Sequence, residues 1–140
     1  MEVYLNFISN NPILFVLFFV ILIFIIFNEF KSLTKKYKDI SPQDAVYLIN
    51  NDAFILDVRE SSELAQGVIK NSKHINFSSV ESSLDSIKKY NKKPTIVYCK
   101  SGIKSATISN MLTKNEFNEV YSMKGGFEGW VSDNLPIIKN

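Results

Sequence analysis

The run "TIVYCKSGIKSATISNML", Thr95–Leu112, contains the only cysteine of the chain. Thr95 to Cys99 reads as a buried strand and Lys104 to Asn115 as a helix, so the thiol sits where a strand hands over to a helix. In α/β sheets, ligands gather outside the carboxyl ends of strands, where strand order reverses. The connecting loop "KSGIKS" is built for an anion. Gly102 can take a positive φ, which curls the loop and turns several amide N–H groups inward. The following helix adds the positive end of its dipole, and Lys100 and Lys104 add full charges. Each of these favours a negatively charged, nucleophilic sulfur. A cysteine at a strand end can also be a small buried hydrophobe. The glycine and two lysines around this one favour a reactive thiol.

Working outward, residues 39 to 140 alternate in type. "ISPQDAVYLINN" reads as a helix with Ser41 as N-cap, Pro42 at its first position and Asp44 completing a capping-box-like pattern. "AFILDVR" reads as a buried strand, "ESSELAQG" as a short helix closed by Gly67, and "KHINF" as another strand. "SVESSLDSIKKY" is amphipathic, "EVYSM" reads as a strand, and "GGFEGWVSDN" as a glycine turn feeding a short helix. Strands separated by helices of this length imply a parallel sheet covered on both faces.

The amino end is of another kind. Ile13–Phe27 is fifteen consecutive apolar residues without a charge, and Pro12–Phe30 extends the candidate helix to nineteen. At ~1.5 Å per residue this spans about 28 Å, close to a hydrocarbon core of ~30 Å. Helix-centre insertion values give an upper bound of roughly 4–9 kcal/mol in favour of the membrane for the fifteen-residue run. A cleavable signal peptide would begin with basic residues and end in small ones. Here Glu2 is the only charged side chain ahead of the run, and "FNEFKS" follows it. The expectation is therefore an uncleaved anchor over residues 1–30, with residues 12–30 in the bilayer. A basic juxtamembrane linker follows over 31–38, and then a folded domain over 39–140. Lys31, Lys35, Lys36 and Lys38 follow the apolar run, so the positive-inside rule places the N-terminus outside and the domain on the cytoplasmic side of the inner (cell) membrane. The same lysines are placed to touch anionic headgroups. The anchor lacks a GxxxG pattern, so helix pairing has no support.

Charge and composition exclude several classes. From residue 39 onward twelve basic residues face twelve acidic ones, which argues against a nucleic-acid partner. One cysteine and one histidine, His74, rule out an internal disulfide and a cysteine-rich zinc site. No metal or organic cofactor is called for.

"DVRESSEL" (Asp57–Leu64), "GVIKNSKHIN" (Gly67–Asn76), "CKSGIKS" (Cys99–Ser105) and "GGFEGW" (Gly125–Trp130) resemble, in order and spacing, the landmarks of a rhodanese domain. The resemblance covers roughly residues 39–138. It implies an α/β fold with a central five-stranded parallel sheet and a cysteine that carries a persulfide. By that resemblance Cys99 is the catalytic residue, and the loop Lys100, Ser101, Gly102, Ile103, Lys104 and Ser105 binds substrate through its amides. The family loop often carries arginine where Lys100 and Lys104 stand, and serine or threonine where Ser105 stands. Lysine keeps the charge but loses the planar fork that grips an oxyanion bidentately, which puts a preference for thiosulfate in doubt. The family's usual "GHIPGA" is here "GVIKNS", with Val68, Lys70 and Asn71 as the departures, so a changed turn is expected there.

Arg59 is the only arginine beside fifteen lysines. A fork-shaped contact with a carboxylate such as Glu63 or Asp57 would explain the choice, and all three are assigned structural roles. His74 is expected to be a framework residue. Gly125 and Gly126 are expected to shape a turn while Phe127 and Trp130 pack into the core.

The expectation is a membrane-anchored sulfurtransferase that passes sulfur from thiosulfate or a persulfide to a small nucleophile or a protein thiol. Two other classes compete with it. One is a docking module that brings a cytoplasmic partner to the membrane. The other is a cysteine phosphatase or arsenate reductase, whose loop needs arginine six positions after the cysteine, where this chain has Ser105.

Overall fold

Helix formation at the amino end is interrupted once, at Asn11, whose φ of −131° and ψ of 51° are extended rather than helical. The residue before a proline is driven out of the helical region by the ring, so helix α1 (Glu2–Asn10) stops and α2 (Pro12–Leu33) starts afresh with proline at its first position. The apolar run alone does not reveal this break. The computed structural model describes residues 1–33 and 35–139, which fall into two compact units, Met1–Lys35 and Lys36–Asn140. Thr34, within the stretch read as a linker, and Asn140, at the end of the domain, lie outside the described residues. Within the first unit, Pro12–Phe30 is long and apolar enough to cross a membrane, with a mean hydropathy of 2.9.

The second unit is a five-stranded, all-parallel sheet. Its strands are β1 (Lys38–Ile40), β2 (Phe54–Asp57), β3 (Lys73–His74), β4 (Thr95–Tyr98) and β5 (Val120–Met123), in the order β1-β5-β4-β2-β3. Between them lie α3 (Pro42–Asn50), α4 (Leu84–Ile87) and α5 (Ile103–Lys114), and α6 (Gly126–Ser132) follows β5. The chain leaves β2 towards β3 and leaves β4 towards β5, so the connections diverge between β2 and β4. That divergence places the Cys99 loop at the switch point.

The buried strands read as continuous apolar runs because both faces are covered. Side chains alternate between two cores. Phe54, Leu56, Val97 and Cys99 join Ile108 and Leu112 of α5, whereas Ile55, Ile96 and Tyr98 join Met123, Phe127 and Trp130. The N-cap at Ser41 forms as expected, its Oγ accepting the Asp44 N–H at 3.1 Å and donating to Asp44 Oδ2 at 2.8 Å.

Two expectations are corrected in detail, and the short helix closed by Gly67 forms with 3-10 geometry. Lys38, assigned to the linker, begins β1, a strand whose charged "KDI" carries no apolar signature and whose structure comes from pairing with β5. "ESSELAQG" forms a 3-10 helix over Ser61–Gln66. The amphipathic "SVESSLDSIKKY" is broken into 3-10 turns around the four residues of α4. Its serines explain the break, since Ser82 and Ser86 donate their hydroxyls to the carbonyls of Ser79 and Ser83 and compete with helix propagation. At the departure "GVIKNS", Asn71 takes a left-handed φ of 63°, a region asparagine enters more readily than other side chains.

One buried ion pair ties the sheet to its surroundings. Arg59 Nε lies 3.0 Å from both Asp57 oxygens and Nη2 lies 2.7 Å from Oδ2, with both side chains fully inaccessible. The fork expected for Arg59 is therefore made to Asp57. Glu63 contributes its carbonyl instead, at 3.2 Å from Nη1, and the Gly67 carbonyl accepts from Nη2 at 2.8 Å. The guanidinium also lies 4.0 Å from the Phe127 ring centroid. Burial would lower the Arg59 pKa, but the hydrogen bond and charge of Asp57 prevail and raise it. The Tyr98 hydroxyl donates to Asp57 Oδ2 at 2.7 Å, and its pKa is raised by burial and then by the charge of Asp57.

Asp57→Ala leaves a buried guanidinium without its counter-ion, a change that costs about 3–5 kcal/mol. Urea unfolding of the full chain in non-ionic micelles, followed by the emission of the single Trp130, is expected to show a loss of that size. A loss below about 1 kcal/mol would mean that water compensates Arg59 and that the pair does not hold the fold.

Candidate active site

β4 ends at Tyr98, and the next residue turns its side chain into the core on the α5 face. Cys99 is only 2% exposed. Its sulfur is nonetheless not an inert apolar atom. The Gly102 N–H donates to Sγ at 3.0 Å and the Ser105 N–H at 3.4 Å. Gly102 achieves this with φ 100° and ψ −8°, the left-handed conformation its missing Cβ permits. α5 then begins at Ile103, one residue earlier than the sequence suggested, so the sulfur sits at its positive end.

The loop is locked from two sides. Ser105, fully buried, donates its hydroxyl to the Gly102 carbonyl at 2.9 Å. Its one proton is thereby used, so Ser122 of β5, 3.0 Å away, is the donor in the contact between the two hydroxyls. On the other side, the Phe127 N–H donates to the Cys99 carbonyl at 2.7 Å and the Glu128 N–H to the Lys100 carbonyl at 3.1 Å. This contact explains Gly126. A Cβ on Gly126 would stand 2.6 Å from the Lys100 carbonyl oxygen and closer still to that of Cys99, and a φ of 56° disfavours one there in any case. "GGFEGW" therefore clamps the backbone that carries the thiol, while Trp130 is buried and donates its Nε1–H to the Pro136 carbonyl at 3.0 Å.

The remaining loop residues line the rim. Ser101 and Lys104 are exposed, and Ile103 is 77% exposed, so its side chain faces solvent. Both lysines are paired. Lys104 Nζ lies 3.0 Å from Glu60 Oε1, and Lys100 Nζ lies 4.0 Å from Glu63 Oε1 and 3.9 Å from Glu128 Oε1. His74 is held away from the thiol by its Nε2, which donates to the Arg59 carbonyl at 2.8 Å.

Sequence reasoning missed Ser122, Tyr98, Glu60 and Glu128, and singled out Glu63 only as a partner for Arg59. A serine inside the buried strand "VYSM" was the available signal for the first, since a buried hydroxyl needs a partner. A tyrosine preceding the cysteine in an aliphatic strand was the signal for the second. Nothing in the linear order of Glu60, Glu63 and Glu128 announces that they meet Lys100 and Lys104.

A model of the rhodanese-like domain matches residues 33–133. The chain is 33% identical over 141 residues to the uncharacterised protein YibN of Escherichia coli, covering 99% of both. It is 33% identical over 106 residues to the thiosulfate sulfurtransferase GlpE of Actinobacillus pleuropneumoniae, covering 75% of this chain and 96% of that one. The solution structure of the polysulfide-sulfur transferase homodimer from Wolinella succinogenes is similar at a TM-score of 0.67 and 30% identity. The match covers 81% of this chain and 86% of that one. A rhodanese-like domain model matching residues 33–133, with relatives at least 30% identical over most of the domain, makes this chain a member of the rhodanese-like sulfurtransferase family.

Proposed function

We propose that this chain is a membrane-anchored sulfurtransferase in which Cys99 carries sulfane sulfur as a persulfide. The observation that supports it most is the pair of amides, from Gly102 and Ser105, aimed at Sγ. A small buried hydrophobe needs no such donors, whereas an attacking thiolate and a terminal persulfide sulfur both carry negative charge that N–H groups stabilise.

The reaction has two halves. The Cys99 thiolate attacks the outer sulfur of thiosulfate, an S–S bond forms to Cys99 as the S–S bond of the donor breaks, and sulfite leaves with the electron pair. With a persulfide RS–SH as donor, the thiol RSH leaves instead. The second nucleophile, cyanide in the test tube or a small or protein thiol in the cell, then attacks the outer sulfur and restores the Cys99 thiolate. Gly102 and Ser105 hold the charge, Ser105 and Ser122 hold the loop, and the α6 amides hold the Cys99 backbone still. No residue other than Cys99 has to form a bond. The lack of arginine at position 105 removes the fork that a phosphate-transferring loop would need.

Residues 12–30 are the bilayer contact, and the lysines that follow set the domain on the cytoplasmic face of the membrane. The sulfur donor and acceptor are then molecules of the cytoplasm.

Two measurements test this. Intact mass spectrometry of the full chain in non-ionic micelles, after incubation with thiosulfate or a small persulfide, is expected to show a gain of one sulfur atom. The gain should reverse with cyanide and be absent in Cys99→Ser. No gain from either donor would make a docking module the better reading. Orientation is read by trypsin, which the lysine-rich domain cannot resist indefinitely. The domain should survive trypsin added to intact spheroplasts and be digested in inside-out vesicles, and the opposite pattern would reverse the topology.

A further inference from the structure

The charges around Cys99 do not add up to the cationic rim that the loop sequence suggests. Lys100 and Lys104 are met by Glu60, Glu63 and Glu128, so three carboxylates surround two ammonium groups and leave one negative charge in excess. Asp57 and Arg59 neutralise each other beneath them. The carboxylates come from two separate elements, the 3-10 segment after β2 and helix α6, and both elements are fixed against the loop. Glu63 Oε2 accepts the Glu60 N–H at 3.0 Å, which leaves Oε1 turned towards Lys100. The Glu128 N–H is bound to the Lys100 carbonyl.

Stability does not account for this arrangement. The lysine side chains are about half exposed, at 52% and 49%, and Glu60 and Glu128 are similarly open. Exposed ion pairs of this kind contribute little to folding. Their effect on an approaching ion is larger, because exposed charges act over a Debye length of ~8–10 Å and the two lysines that the carboxylates meet belong to the loop a donor has to enter. A dianion meets repulsion where the bare lysines would have offered attraction, and sulfite would have to leave through the same field.

We infer that Glu60, Glu63 and Glu128 are specificity-determining residues that turn the site away from dianionic thiosulfate and towards persulfide donors of little or no net charge. This rests on the reading of Cys99 as a persulfide carrier. In the favoured step the Cys99 thiolate attacks the outer sulfur of RS–SH, the donor S–S bond breaks, and the leaving sulfur takes the outer sulfur's proton and departs as RSH, which leaves Cys99 as the persulfide anion. Total charge is the same before and after, and no oxidant or reductant is needed. The rim repels a donor in proportion to the charge it carries, so the discrimination is made on approach.

The test is the rate of Cys99 persulfide formation in the full chain in non-ionic micelles, followed by mass, with thiosulfate and with zwitterionic cysteamine persulfide. The triple variant Glu60→Gln, Glu63→Gln, Glu128→Gln keeps hydrogen-bond acceptors at all three positions and removes the charge. Its rate ratio of thiosulfate to cysteamine persulfide is expected to rise about tenfold over the parent. Added salt should accelerate thiosulfate loading of the unaltered chain by screening the repulsion, and should lose that effect in the variant. An unchanged ratio, or salt that slows thiosulfate loading of the unaltered chain, would overturn the inference and leave the carrier reading intact. The salt arm decides even where the variant does not fold. No loading from either donor, in either form, would overturn the carrier reading and this inference with it.

Discussion

Asp57 and Arg59 are buried together at the carboxyl end of β2, and the position of the thiol follows from that pair through a chain of contacts. Arg59 reaches the carbonyls of Glu63 and Gly67, which fixes the 3-10 segment, and presents its flat face to Phe127 of α6. Phe127 in turn spends its N–H on the Cys99 carbonyl. Tyr98, one residue before Cys99, closes the circuit by donating to Asp57. A buried ion pair is a poor source of net stability, because desolvation offsets much of its attraction. What it supplies here is direction, since a guanidinium with several donors committed cannot shift without leaving a polar atom unpaired.

That constraint also accounts for what the sequence discloses. A chain that uses lysine at every other basic position and arginine once is pointing at a geometric need, and the fork onto Asp57 meets it. The strand–loop–helix around Cys99 is legible for a similar reason. Apolar runs, a glycine able to take positive φ and a helix that follows it are local signals, and the structure realises each within a residue. The Ser41 cap is local too.

Where reading fails, the determinant lies far away in the chain. β1 is a strand because β5 lies beside it, and "KDI" says nothing of that pairing. α4 is short because serines offer the backbone carbonyls an alternative partner, which outweighs the apolar periodicity of the segment. The glycines of "GGFEGW" are readable as a turn, but the reason alanine does not fit at Gly126 is the carbonyls of Cys99 and Lys100, far earlier in the chain. Glu60 meets Lys104 across forty-four positions, a distance that no local pattern spans.

The site thus separates two electrostatic tasks that a sequence merges. Close to the sulfur, charge is handled by backbone amides, which are held in place by the fold. Farther out, charge is handled by side chains that are partly exposed and screened. In the proposed reaction the first set acts on any negative sulfur that reaches Cys99, so it lowers the barrier without choosing the donor. On the inference drawn from the rim, the second set acts before contact, on the net charge of whatever approaches, so it chooses without altering the bond-forming step. Loops that carry the same cysteine, glycine and serine can therefore share a reaction and differ in donor, according to which carboxylates the neighbouring elements bring to the rim.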